Sequence, residues 1–168
     1  MKTISFQSDI LPLKNELFRM ALRITQNREE AEDVVQETMI KVWNKRNSWD
    51  QIENITTFCF TICRNLAVDK TRYMGNQTLS LENEIDPSDE SHHANPEEQT
   101  VQRDRIRVVR QLINQLPEKQ RSCMQLRDIE GKSYKDIAAI LEISEEQVKV
   151  NIFRARQTIK EKFYSLDL

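Results

Sequence analysis

The stretch from residue 131 to 159 reads GKSYKDIAAILEISEEQVKVNIFRARQTI, and it decides the fold of the C-terminal part of the chain. Gly131 suits a left-handed helix end, and Ser133 suits the N-cap of the short apolar helix that follows. Ser144 and Gln147 have the Ser-x-x-Gln spacing of a capping box, which predicts the start of a longer helix. A short helix, a tight turn and a longer helix indicate a helix-turn-helix.

The longer helix presents a polar face opposite its apolar stripe. The stripe consists of Val148, Ile152, Ala155 and Ile159, at steps of four, three and four. The opposite face carries the candidate DNA contacts, which are Lys149, Val150, Phe153, Arg154 and Gln157. A major groove admits one helix, and its phosphates attract cations at the helix flanks. The pattern favours DNA binding over the alternative of a solvated surface helix.

Two further helices precede this motif. The first has the apolar stripe Ile106, Val109, Ile113 and Leu116, and Pro117 ends it because the residue before a proline is pushed out of the helical region. The next is expected over 118–129. These helices and the helix-turn-helix form a compact C-terminal unit over 105–168.

The N-terminal unit, residues 1–75, shows three helical patterns. Asn27 caps the second of them, whose first turn is rich in acids that suit a helix N-terminus. Thr56 or Thr57 starts the third, and the polar loop before it contains Trp49. The expected apolar faces are, in order, Leu13, Leu17, Ala21 and Ile24; Ala31, Val34, Val35, Thr38, Met39, Val42 and Trp43; and Phe58, Ile62 and Leu66. Each helix is only half apolar, so the three are expected to bury their stripes against one another.

Charge separates these two units from a middle segment. Residues 1–75 carry a net charge of +1, residues 76–104 a net charge of −7, and residues 105–168 a net charge of +4. Few apolar side chains occur in the middle segment, so it cannot offset its ordering entropy by burial. Residues 76–104 are therefore predicted to be a flexible acidic linker, and the fold class is all-α with two small domains.

Composition excludes several classes of protein. The chain has 168 residues, a net charge of −2, and only 2 Gly and 4 Pro, too few turn residues for a sandwich or barrel of many short strands. No apolar run approaches the roughly 20 residues that span a bilayer, and the N-terminus lacks the pattern of a signal peptide. The two glycines lie too far apart for a phosphate-binding loop. We expect a cytoplasmic protein.

The three cysteines are expected to be reduced and buried. Three is an odd number, and free Cys usually behaves as a small hydrophobe. Cys59 and Cys63 lie four residues apart on one helix face, and with His92 and His93 they are an alternative metal site, although the spacing matches no common zinc pattern. Nothing near Cys123 suggests a nucleophile. No metal or other cofactor is predicted.

Four motifs resemble those of bacterial RNA polymerase sigma factors. Residues 31–38, AEDVVQET, with Val42-Trp43 resemble the polymerase-binding region, and residues 58–69, FCFTICRNLAVD, resemble the helix for the −10 promoter element. LPEKQR at 116–121 and residues 131–138 resemble the start of the −35-binding domain, and residues 147–156 resemble its recognition helix. The motifs occur in the family's order across both units. Two domains without further modules are typical of the extracytoplasmic-function (ECF) class.

The resemblance assigns a role to each surface. It places the contacts with the polymerase clamp helices at Asp33, Gln36 and Glu37. It places −10 recognition at Trp49, Asn54, Arg64, Asn65, Asp69, Lys70 and Arg72, and −35 recognition at the face of the last helix given above. Where the family often has a small polar and then a basic residue after the lysine, this chain has Val150-Asn151, so the family's −35 sequence does not carry over.

An ECF sigma factor recruits core RNA polymerase to particular promoters and helps to melt them, and it is not itself an enzyme. The implied partners are core polymerase, promoter DNA and an anti-sigma factor, which is often membrane-anchored in this family. The alternative is a stand-alone helix-turn-helix regulator whose first unit binds a protein or a ligand, and a third class is a thiol or metal enzyme. A closed arrangement of the two units would hide both DNA surfaces, and the sequence does not decide between closed and open.

Overall fold

A computed structural model describes residues 3–74 and 96–166 of the chain. Its helices are α1 (Lys14–Thr25), α2 (Arg28–Asn44), α3 (Ile55–Met74), α4 (Pro96–Asn114), α5 (Glu118–Met124), α6 (Tyr134–Leu141) and α7 (Glu145–Ser165). Short 3-10 or π-helical turns precede α1, follow α2 and extend α5 as far as Ile129. No strand occurs within the described ranges, so the predicted all-α class is confirmed for them.

Helices α1, α2 and α3 form a three-helix bundle. A tight turn joins the first two: Gln26 adopts a left-handed φ of 55°, and the Asn27 side chain accepts a hydrogen bond from the Glu30 backbone N–H at 3.0 Å. The predicted cap of α2 is therefore confirmed. The bundle buries Leu17, Met20, Ala21 and Ile24 of α1, Ala31, Val34, Val35, Thr38 and Val42 of α2, and Cys59, Phe60, Cys63 and Ala67 of α3.

The predicted helix-turn-helix is confirmed. Gly131 has a left-handed φ of 70°, and Ser133 accepts a hydrogen bond from the Asp136 N–H at 3.0 Å. Glu142 ends α6 in the left-handed region, and Ser144 and Gln147 form the capping box that starts α7.

Two predictions on element boundaries need correction. Helix α3 begins at Ile55, one residue before Thr56, because Asn54 accepts from the Thr57 N–H at 3.1 Å and caps it. Helix α4 begins at Pro96, so residues 96–104 of the predicted linker are helical; proline followed by two glutamates favours a helix start. The remainder of the predicted linker lies outside the described residues.

The two units pack directly against each other. Helices α1 and α3 contact α5 and α6, and a single apolar cluster runs through both units. The cluster joins Phe60 and Cys63 of the first unit to Leu126, Ile137 and other residues of the second. A smaller cluster lies between α4, α5 and α7. The two units are therefore in a closed arrangement.

Candidate polymerase and nucleic-acid interfaces

The predicted polymerase contacts lie together on α2. Asp33, Gln36 and Glu37 are all exposed, while Val34 and Val35 between them point into the bundle. This arrangement follows from the helical repeat, since positions three and four apart share a face. The face offers two carboxylates and an amide to a partner.

Two apolar side chains extend this face beyond the predicted residues. Ile40 is 59% exposed and Trp43 is 46% exposed, although the sequence pattern placed Trp43 among the core residues. The prediction for Trp43 was therefore wrong. Its indole packs edge-on against Phe6 and Trp49, with ring centroids 5.6 and 6.1 Å apart, and Arg46 lies 4.6 Å above the ring. Ile40 is absent from the residues predicted for this face, because the exposure of an apolar side chain cannot be read from its hydrophobicity. Its position two helical turns after Asp33 does indicate that the two residues share a face.

The predicted −10 residues fall into three groups. Asn54, Asn65, Asp69 and Arg72 are exposed. Arg64 and Lys70 are partly covered by ion pairs with other helices. Trp49 is a core residue, only 7% exposed, and its indole Nε1–H donates to the Val42 carbonyl at 3.0 Å. Its ring is therefore unavailable for the predicted contact with a base, and it holds the loop onto the end of α2.

Lys70 on α3 forms ion pairs with α2. Its ammonium group lies 3.2 Å from Glu30 and 3.5 Å from Asp33, both on α2. Partial burial lowers the pKa of Lys70, but the two carboxylates outweigh that effect and leave the pKa raised. Lys70 therefore carries its positive charge at the edge shared by α2 and α3.

Arg64 is engaged by the second unit. Its guanidinium donates to both carboxylate oxygens of Glu118, at 3.0 and 2.7 Å, and its side chain is only 13% exposed. The contact between the units therefore covers Arg64, while the predicted −10 residues Asn54, Asn65, Asp69 and Arg72 stay exposed. The expectation that a closed form hides both DNA surfaces was wrong.

The predicted −35 face of α7 is open. Lys149, Val150, Phe153, Arg154 and Gln157 are all exposed, and Phe153 is 69% exposed. Two members of the face have neighbours on the same unit: the Lys149 ammonium lies 5.5 Å from the Tyr134 ring centroid, and Gln157 donates to Glu161 at 3.1 Å.

Arg156, at the flank of this face, has a structural partner. It makes two hydrogen bonds with Asp128, one of them from Nε at 3.1 Å, and this pairing raises the pKa of the guanidinium. The bond ties α7 to the turn that follows α5. Arg154 and Arg156 are therefore neighbours in sequence that occupy different environments.

The cysteines lie in the apolar interior. Cys59, Cys63 and Cys123 are each fully buried, and burial raises the pKa of each thiol to about 12. Such thiols are poor nucleophiles at neutral pH. Among the residues described, no group of three or more His, Cys, Asp or Glu side chains could hold a metal ion, and His92 and His93 lie outside that part of the chain. Within the same ranges, no helix is long and apolar enough to cross a membrane.

Both units match family models. Residues 10–75 match the model described as Sigma-70 region 2, and residues 106–159 match Sigma-70, region 4. The ECF RNA polymerase sigma-E factor of Haemophilus influenzae is 30% identical, and the alignment covers 83% of this chain and 78% of that protein. The ECF RNA polymerase sigma factor SigW of Bacillus subtilis is 27% identical, with 95% of this chain and 89% of the relative covered.

A solved structure is similar over the whole chain. It is the sigma factor RpoE in complex with the anti-sigma factor NepR from Bartonella quintana, with 25% identity and a TM-score of 0.77. The superposition covers 97% of this chain and 98% of that one, so the similarity includes the placement of the two units relative to each other.

Proposed function

This chain belongs to the extracytoplasmic-function class of sigma-70 factors, and from that premise we propose how its two units divide the work of transcription initiation. It binds core RNA polymerase, directs the polymerase to specific promoters through −10 and −35 elements, and assists promoter melting. A stand-alone helix-turn-helix regulator does not account for an N-terminal unit that matches region 2 along residues 10–75. The two domains of the proposal are residues 1–75 and 105–168.

The face of α2 is the polymerase-binding surface. Asp33, Gln36 and Glu37 supply the polar contacts, and the exposed Ile40 and Trp43 supply apolar area beside them. Interfaces gain most of their affinity from a few buried apolar and aromatic anchors with polar groups around them. The clamp helices of core polymerase are the partner that the family implies for this face.

The exposed side of α3 and the loop before it form the −10 surface. Asn65, Asp69 and Arg72 lie on the accessible side of α3, and Asn54 lies at its N-terminus. Asparagine and arginine side chains hydrogen-bond the edges of unpaired bases, and the cations Arg64 and Lys70 track the phosphates. Trp49 supports this loop from within the core.

Helix α7 is the −35 recognition helix, and its open face is the observation that carries the proposal. Lys149 and Arg154 offer hydrogen-bond donors to guanine edges and phosphates, and Val150 offers methyl contacts to thymine. Val148 and Ile152 bury the inner side of α7, and the capping box fixes its first turn, so the opposite face is free to enter a major groove.

Membership of the ECF class also implies a regulatory partner and a non-catalytic role for this chain. The similar structures were solved with anti-sigma factors, NepR in one case and the cytosolic domain of CnrY in another, and an anti-sigma factor is a partner of this chain. We assign the chain no catalytic step and no cofactor, since phosphodiester bonds are formed by the polymerase. Its place of action is the cytoplasm, where polymerase and promoters meet.

Run-off transcription with purified bacterial core polymerase on a library of genomic promoter fragments tests the proposal. The proposal is supported if transcripts with defined start sites appear only when the chain is present. These transcripts should weaken in Glu37→Ala and in Arg154→Ala, and their start sites reveal the promoter. The matched control is Asp104→Ala, which removes an exposed acid on α4, a helix to which no polymerase or DNA contact is assigned. Absence of starts, together with tight binding of the chain alone to a palindromic site, would overturn the proposal in favour of a stand-alone regulator.

A further inference from the structure

We propose that Glu118 is an intramolecular latch: in the free chain its carboxylate occupies the guanidinium edge of Arg64 that promoter DNA needs, and it holds the two units closed. This inference rests on the proposed function, because it takes Arg64 as a −10 residue. Glu118 begins α5 in the second unit, and Arg64 lies on α3 in the first. The latch therefore joins the two units through residues that are 54 positions apart in sequence.

The geometry of the pair is that of a strong competitor for DNA. Arg64 Nε and Nη2 each donate to one oxygen of the same carboxylate, at 3.0 and 2.7 Å. The same two-pronged geometry is used by arginine to bind a phosphate. Ser122 Oγ donates to Glu118 Oε1 at 2.9 Å, which fixes the carboxylate in place. While this pair persists, Arg64 cannot bind a phosphate through that edge.

Further ion pairs between the two units fix their relative orientation in the closed form. Arg19 donates from Nε and Nη2 to Glu130 at 2.6 and 2.8 Å, and the Glu130 side chain is almost fully covered. Lys132 lies 3.5 Å from Glu16, so each unit supplies both a cation and a carboxylate to the interface. Reciprocal charges of this kind select one relative orientation more than they add stability.

Apolar burial favours the closed form until a partner compensates for its loss. Phe60 on α3 and Ile137 on α6 are both fully buried in the cluster that runs through the two units, and the Lys132 ammonium lies 4.7 Å from the Phe60 ring centroid. Separating the units would expose such residues to water. Opening therefore requires a partner that binds the separated form better than the closed one.

Promoter geometry requires that opening. Elements centred about 25 base pairs apart lie about 85 Å apart along B-DNA, at 3.4 Å per pair. A compact chain of this length has a radius of gyration of about 15 Å, so two units in contact cannot reach both elements. The RpoE chain bound to NepR superimposes over both units of this chain, so the closed arrangement is also the one seen in a complex with an anti-sigma factor.

Small-angle X-ray scattering of the full chain measures the closed-to-open ratio. We expect the wild-type chain to be compact, and we expect Glu118→Gln to shift the ratio towards the open form about tenfold, because Arg64 keeps its charge without a counter-ion. The matched control is Glu145→Gln, which makes the same change at the first residue of α7. Ser122→Ala removes only the hydroxyl that orients Glu118, and it should open the chain by a smaller factor while leaving α5 intact.

A charge exchange tests the second ion pair. Arg19→Glu should open the chain, and adding Glu130→Arg should close it again, which a loss of folding would not do. In run-off transcription at limiting sigma factor, Glu118→Gln should give more transcript than wild type and than Glu145→Gln.

An extended wild-type chain, or a Glu118→Gln variant with the scattering and transcript yield of wild type, would overturn the latch. If wild-type chain and core polymerase give no start at all, the proposed function fails instead, while scattering still decides whether the units are latched.

Discussion

The carboxylate of Asp33 on α2 lies 3.5 Å from the ammonium group of Lys70 on α3, so a residue of the proposed polymerase surface contacts a residue of the proposed −10 surface. Lys70 has a second carboxylate partner, Glu30, at 3.2 Å. The two surfaces are therefore adjacent, and one cation is shared between them. Loss of Asp33 alone leaves Lys70 paired.

We expect Asp33→Asn to weaken binding of core polymerase by about tenfold to 100-fold, the effect of one hydrogen bond to a charged group. Binding of the melted promoter strand should be unchanged, because Glu30 still holds Lys70. Titration of labelled chain with core polymerase measures the first effect. Glu30→Gln is the control: it removes the other partner of Lys70 and should leave polymerase affinity intact. Equal losses in both variants would mean that the position of Lys70, and not the Asp33 carboxylate, is what polymerase binding senses.

Ile40→Ser should weaken polymerase binding about tenfold and leave stability within about 0.5 kcal/mol, because a 59% exposed side chain contributes little to the core. Urea unfolding measures the stability, and the same polymerase titration measures the affinity. Leu11→Ser is the matched control, since Leu11 is also exposed but lies outside the α2 face. A similar affinity for both variants would remove Ile40 from the interface.

Substitutions at the neighbouring residues Arg154 and Arg156 should have different effects, one on base recognition and the other on stability. Arg154→Ala should lower the preference for a matched over a mismatched −35 element by about 1–3 kcal/mol. The free energy of unfolding should stay unchanged. Arg156→Ala breaks the bonds to Asp128, so it should reduce stability by about 1 kcal/mol and keep the sequence preference. Run-off assays on promoters with single −35 substitutions, alongside thermal melts, measure both quantities. A preference that changes in Arg156→Ala and not in Arg154→Ala would contradict the assignment of the face.

Stability should fall in alkaline solution because of the buried thiols. Burial raises the pKa of Cys63 to about 12, from an ordinary value of 9.0. The stabilisation from the neutral thiol is complete below pH 9.0 and is lost as the pH rises towards about 12, since the unfolded chain then ionises first. Urea unfolding of wild type and Cys63→Ala between pH 7 and 11 should show the wild type losing up to about 1.4 kcal/mol more per pH unit above pH 9. Parallel curves for the two proteins would show that this thiol does not titrate with unfolding.

Local features of the fold could be predicted from sequence because their partners are close along the chain. Ser133 and Ser144 each bond a backbone N–H three residues later, so residue type and spacing were sufficient. The same holds for Asn27. The start of α4 at Pro96 differs from the predicted linker because an acidic, apolar-poor composition is typical of a linker, while a proline followed by acids also begins helices.

Long-range features could not be predicted in this way. Periodicity placed Trp43 in the core because it reports which face is apolar, not whether the chain itself covers that face. The resemblance predicts a base contact for Trp49, whereas its ring is buried and its Nε1–H donates to the Val42 carbonyl at the end of α2. The pairing of Arg64 with Glu118 joins residues that no local pattern relates.

The apolar cluster that runs through both units also determines how the free chain unfolds. Because Phe60 and Ile137 belong to one packed interior, the two units should lose structure in a single cooperative transition, although each has its own helices. Amide hydrogens of α3 and α6 should then exchange with solvent at a common, slow rate set by global unfolding. Once polymerase separates the units, that cooperativity ends, and each domain depends on its own partner for protection. The same residues thus make one folding unit in the free chain and two in the transcription complex.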